Sequence, residues 1–138
     1  MLRKIFAFLA GLTTAIVSIT LLQMLMFLLY PMPTAEAMND PAELRKWVSE
    51  LPSSANLLIA ATYTLGSMLG GVAATKIMMG TAAGLHPTLM LGLTLTASAI
   101  VNFFVTMPGS PMWAAVLCII LQLPAALLGY RLARKTRV

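Results

Sequence analysis

Four long apolar runs, separated by short polar segments, make up most of the chain. Residues 5–30 contain no charged side chain over 26 positions, residues 55–75 over 21, residues 88–107 over 20 and residues 112–130 over 19. At ~1.5 Å rise per residue these runs measure roughly 28–39 Å, against a hydrocarbon core of about 30 Å. Each is therefore long enough to cross a bilayer as a helix. None alternates polar and apolar in the ~10-residue segments of a membrane barrel. Lipid offers no partner to an open backbone N–H or C=O, which leaves the helix as the form that can span. The pattern predicts an all-α membrane protein, a four-transmembrane-helix bundle forming one integral membrane domain over residues 1–138.

The segment between the first two runs, residues 31–54, has a different rhythm. Tyr30-Pro31-Met32-Pro33 closes the first run, because proline cannot continue the helical hydrogen-bond ladder. Asn39-Asp40-Pro41-Ala42-Glu43 then reads as a helix start, with Asp40 at the N-cap, Pro41 at the first helical position and Glu43 two residues on. Leu44, Trp47, Val48 and Leu51 recur at helical spacing on one face, and Arg45, Lys46 and Glu50 occupy the others. A short amphipathic surface helix is expected over residues 41–50, anchored in the headgroups by Trp47, Leu44 and Val48. Pro52 ends it, and Ser53 or Ser54 is expected to cap the second span. The segment is a connector in the plainer reading and a lid or docking surface in the functional one.

Charge adds the threading. Arg3, Lys4, Lys76, Arg131, Arg134, Lys135 and Arg137 all fall on one side of four crossings. The opposite side carries Arg45 and Lys46 together with every acid: Glu36, Asp40, Glu43 and Glu50. Seven bases against two is a positive-inside bias that puts both termini in the cytoplasm. Ala35-Glu36-Ala37 resembles a signal-peptide cleavage site, but the apolar run before it is far longer than the about 7–15 residues of a signal core, so an uncleaved span is expected.

Composition agrees with this placement. Of 138 residues, 59% are hydrophobic and 9% are charged, with one Cys and one His. The net charge of +5 is spread along an apolar chain with no basic stripe, so no nucleic-acid partner is expected. No metal ligand set, catalytic residue or cofactor is expected. Met32, Met38, Met107 and Met112 fall near the outer surface, but core filling explains methionine here better than copper binding does. Cys118 lies within a span as a small apolar filler. His86-Pro87 is expected as an interfacial boundary ahead of the third helix.

Helices in lipid associate through small residues and hydrogen bonds, since the hydrophobic effect does not act between them. Gly66, Gly70 and Ala74 share a face of the second span, with Gly71 beside them, and packing within the chain is favoured over packing between copies. Pro124 frees the carbonyl of Ile120 in the fourth span and is expected to kink it. Gly11 to Ala15 and Gly92 to Ala97 hint at a parallel duplication of the two halves. No acid, arginine or histidine lies well inside a span, which argues against ion-coupled transport. The polar side chains that remain are Gln23, Tyr63 and Asn102 in the outer half and Gln122 near mid-membrane. They form either interhelical hydrogen bonds or a polar pocket that opens outward beneath the 41–50 helix.

Tyr30-Pro31-Met32-Pro33, Asn39-Asp40-Pro41, Leu51-Pro52 and the Gly66–Gly71 run, in this order, resemble a group of small, uncharacterised bacterial inner-membrane proteins with four spans and an Asn-Asp-Pro outer helix. The resemblance implies the same topology and location and brings no activity with it. The expected function is a non-enzymatic scaffold or accessory subunit that binds membrane lipid or another membrane protein. A small oligomeric channel or uncoupled transporter is the alternative, and a homo-oligomer is compatible with either.

Overall fold

The computed structural model describes residues 1–79, 81–106 and 109–136. Met107 and Arg137, which figure in the expectations above, lie outside the described residues. Helix α1 runs over Leu2–Leu29, α2 over Ala35–Asn39, α3 over Pro41–Glu50 and α4 over Ser53–Ile77. A 3-10 turn at Ala82–Gly84 leads into α5, Leu85–Val101, which continues as a π-helical turn over Asn102–Thr106; α6 spans Met112–Lys135. Four helical stretches are long and apolar enough to cross a membrane, and no strand occurs among the described residues.

Proline marks most of the helix boundaries at the end of the bundle opposite the termini. α1 ends at Tyr30 before Pro31, Pro41 opens α3, Pro52 precedes α4 and Pro111 precedes α6. Asp40 caps α3 as its sequence suggests, its Oδ1 accepting from Ala42 N at 2.9 Å. Three details differ from expectation. Neither Ser53 nor Ser54 caps α4; Ser54 Oγ instead pairs with Tyr30 Oη at 2.8 Å and ties the end of α1 to the start of α4. His86 and Pro87 lie inside the first turn of α5, where a missing N–H is tolerated because that group has no intrahelical partner. The short helix α2 was not foreseen; Thr34 caps it through Ala37 N at 3.4 Å.

The interior is built from small side chains and the exterior from large ones. Ala7, Ala15, Ala74, Ala126 and Ser67 are completely or almost completely buried, whereas Ile5, Phe6, Leu21, Leu25, Ile120 and Leu128 are exposed. That distribution suits a lipid surround, in which close backbone approach replaces hydrophobic burial as the source of association. α4 lies between α1 and α6, and α5 packs on α6, α1 and α4, giving a lozenge with α1 and α6 at its far corners. One face of α4 meets α1: a Cβ added at Gly70 would lie 2.7 Å from Gly11 O, and one added at Gly66 would lie 3.1 Å from Ala15 O. Ala74 Cβ stands over Gly11 from the same face. The other face meets α6, where Gly71 is pressed onto the backbone of Ala126 and Gly129 onto the carbonyl of Met68. Gly66, Gly70, Gly71 and Ala74 are thus all used within the chain. α6 continues through Pro124 to Lys135.

The antiparallel spans gather Arg3, Lys4, Lys76, Arg131, Arg134 and Lys135 at one end and all four acids at the other. At the basic end Arg3 Nε donates to Ile77 O at 3.1 Å, a cation placed on the carbonyl terminus of α4. Nearby, the buried Thr75 and Thr88 hydroxyls lie 3.2 Å apart and each bonds to its own helix, to Gly71 O and Gly84 O. These contacts close the basic end of the bundle.

Candidate outer cavity

The amphipathic face of α3 meets protein. Val48 is only 3% exposed, and Leu44, Trp47 and Leu51 turn toward the outer end of the bundle with it. The helix expected as a headgroup anchor thus also forms a roof over this end of the bundle. On the far side, a Cβ added at Gly109 would lie 3.4 Å from Arg45 O, so the turn before α6 rests against the roof. Gly109 has φ +115°, a conformation that favours glycine.

Under this roof is a cavity of about 110 Å³. Met26, Phe27, Ile59 and Phe103 contribute apolar wall, and Met32 and Met38 form an exposed rim. Its polar residues are Gln23 from α1, Asn56 and Tyr63 from α4, Asn102 from the π-helical turn and Ser110 from the turn before α6. Asn102 Nδ2 donates to Tyr63 Oη at 2.9 Å. Gln23 approaches the same hydroxyl from α1. The Tyr63 ring lies tilted against Phe103, with centroids 5.8 Å apart, a favoured aromatic arrangement. Tyr63 is ten residues into α4, roughly 15 Å along the axis. Among the described residues, no charged side chain lines the cavity.

The structure brings Gln23, Tyr63 and Asn102 together, as both readings of these residues require, and separates Gln122 from them. Gln122 is 1% exposed between α6 and α4, where its Oε1 accepts from Ser67 Oγ. Its Nε2 has no partner among the described residues. Its place in the four-residue polar set is thus corrected: Gln122 lies at the α4–α6 seam, because the glycines on both sides bring those two helices close enough for a glutamine to reach a serine. Asn56 was missed. It is buried and spends one amide N–H on Pro52 O at 3.4 Å, within its own first turn. Its position beside the serines at the head of α4 suggested loop chemistry, and only its helical offset of seven residues from Tyr63 could have placed both on one face.

Of the methionines expected near the outer surface, Met32 and Met38 reach the cavity rim, with Met26 buried in the wall below them, while Met112 is exposed elsewhere. No group of three His, Cys, Asp or Glu capable of holding a metal occurs among the described residues. Cys118 is buried with Ala60, Ala99, Phe103 and Ala115.

Four apolar helices with small residues inside and large apolar residues outside define the chain as a multi-pass integral membrane protein. No protein family, curated protein or solved structure matches it.

Proposed function

We propose that this is a non-enzymatic protein of the bacterial inner membrane, with both termini cytoplasmic, that acts as a scaffold or accessory subunit and binds membrane lipid in its outer cavity. The observation that carries this reading is the cavity itself. It combines apolar walls with neutral polar side chains, and with both termini cytoplasmic it would lie at the depth of the outer leaflet. Binding sites in membranes and in water alike pair mostly apolar walls with a few placed polar groups. The bacterial location rests on the resemblance of the Tyr30–Pro33, Asn39–Pro41 and Gly66–Gly71 segments, and the orientation on the basic end.

Two features favour binding over conduction. Below the cavity, toward the basic end, Ala15, Leu91 and Leu95 pack together with Phe8 and Leu12, and all three are at most 5% exposed. This apolar layer separates the polar cluster from the other side. The glycine faces of α4, moreover, are occupied by α1 and α6, so they are not free to build an oligomeric pore.

Lipid analysis of the purified full chain tests the proposal. Protein extracted in mild detergent is expected to retain lipid detectable by native mass spectrometry. The cavity-filling variant Ile59→Phe is expected to release it while keeping its helical spectrum. Wild-type protein that emerges lipid-free, or a variant that retains the same complement, would contradict the reading.

A further inference from the structure

We infer that the outer cavity selects an uncharged alkyl alcohol, seating its hydroxyl among Gln23, Tyr63 and Asn102 and its alkyl chain against the roof of α3. The inference rests on the lipid-binding reading and specifies the chemistry of the group bound.

Charge is the first constraint. Among the described residues the lining has no lysine, arginine, histidine, aspartate or glutamate. A phosphate, carboxylate or ammonium placed there would lose its hydration without gaining a counter-ion, which disfavours all three. The nearest bases, Arg45 and Lys46, lie on the other faces of α3, turned away from the cavity by the helical spacing that turns Leu44, Trp47 and Val48 toward it.

Hydrogen-bonding capacity is the second constraint. Asn102 uses one amide N–H on Tyr63, which leaves a carbonyl oxygen and a second N–H on that side chain. Gln23 brings a further amide to the same point. Each amide can both give and accept. A hydroxyl is the small neutral group that does both at once. An ether or an ester carbonyl accepts only, and cannot donate to the carbonyl oxygens of these amides.

The walls are the third. From the polar cluster to the rim, the surface is formed by Met26, Ile59, Phe103, Val48 and Trp47, ending at the exposed Met32 and Met38. Thioether and aromatic groups of this kind accommodate a flexible chain without demanding one shape. Asn56 and Ser110 lie among these walls, Asn56 with an amide N–H given to Pro52 O, and the Gln23, Tyr63 and Asn102 cluster lies deeper, so the ligand enters hydroxyl first and leaves its chain toward the rim. A phospholipid, whose polar head stays at the membrane surface, presents the reverse order.

The test uses the full chain in mild detergent, carrying Trp113→Phe so that Trp47 is the reporting indole. Octan-1-ol is compared with 1-methoxyheptane, an ether of equal chain length that cannot donate, and with octanoate at neutral pH. Saturable change in Trp47 fluorescence is expected with octan-1-ol, and at least tenfold weaker binding with the ether and with octanoate. Asn102→Leu is expected to abolish the preference for alcohol over ether. Gln23→Met, which leaves the Tyr63–Asn102 hydrogen bond in place, is expected to reduce it and serves should Asn102→Leu fail to fold. Equal binding of alcohol and ether, tighter binding of octanoate, or no saturable change would overturn the inference. Those results, combined with lipid that is retained by wild type and released by Ile59→Phe, would leave lipid binding standing with a different head group. Absence of retained lipid would remove the broader reading instead.

Discussion

Gly71 and Gly129 set how closely α4 and α6 can approach, since each presses on backbone of the other helix. A methyl group at either position meets atoms that cannot rotate away. Gly71→Ala and Gly129→Ala are each expected to destabilise the folded protein by about 1–3 kcal/mol, the usual range for overpacking a tight site. Gly84→Ala is the internal control. There the nearest atom is a Thr75 methyl at 3.2 Å, and a much smaller change is expected. Thermal unfolding in detergent, followed by circular dichroism, measures all three. The Ser67–Gln122 pair at the same seam is a second case. Removing both partners in Ser67→Ala/Gln122→Leu is expected to be close to neutral, because the orphaned Gln122 Nε2 disappears with its hydrogen-bonding side chain. Ser67→Ala alone, which strands a buried amide, is expected to cost more than the double variant in the same unfolding measurement.

Among the elements, α3 shows where sequence pattern stops being sufficient. Its limits, its Asp40 cap and its apolar face were all legible, because capping and helical periodicity are local properties. What that face meets is not local. Leu44, Trp47 and Val48 suit lipid headgroups as well as they suit a bundle end, and the deciding fact, a cavity at the tops of α1 and α4, belongs to the tertiary fold. The π-helical turn that presents Asn102 and Phe103 was hidden for a similar reason: nothing in Asn102-Phe103-Phe104-Val105 distinguishes its hydrogen-bond pattern from that of an ordinary helix. The contribution of Asp40 is measurable at this scale. In a Cys118→Ala background, a cysteine at Val48 is expected to react slowly with maleimide and one at Glu50 quickly, since Val48 is covered and Glu50 exposed. Asp40→Ala, which removes an N-cap worth about 1 kcal/mol, is expected to speed the Val48 reaction roughly fivefold by loosening α3. An unchanged rate would mean that the cap does not hold the roof in place.

For the whole molecule, the four spans and their order were readable from run length alone, and every long helix begins or ends within about five residues of its expected limit. The glycine face of α4 was readable as well. Its two partners were only partly so, since the Ala7-Gly11-Ala15 spacing of α1 and the Ala126–Gly129 segment of α6 gain meaning once the helices are set side by side. Of the four polar residues, depth along the helices grouped Gln23, Tyr63 and Asn102 correctly. Rotation about the helix axes, which depth does not give, separates Gln122 from them.

The arrangement depends throughout on the bundle lying across the membrane with its basic end inside. Cysteine accessibility in intact cells tests this most directly, again with Cys118→Ala as the parent. Glu43→Cys is expected to react with a membrane-impermeant maleimide added to whole cells, while Lys4→Cys and Lys135→Cys react only after permeabilisation. Labelling of Lys135→Cys in intact cells, or protection of Glu43→Cys until the membrane is broken, would contradict the account.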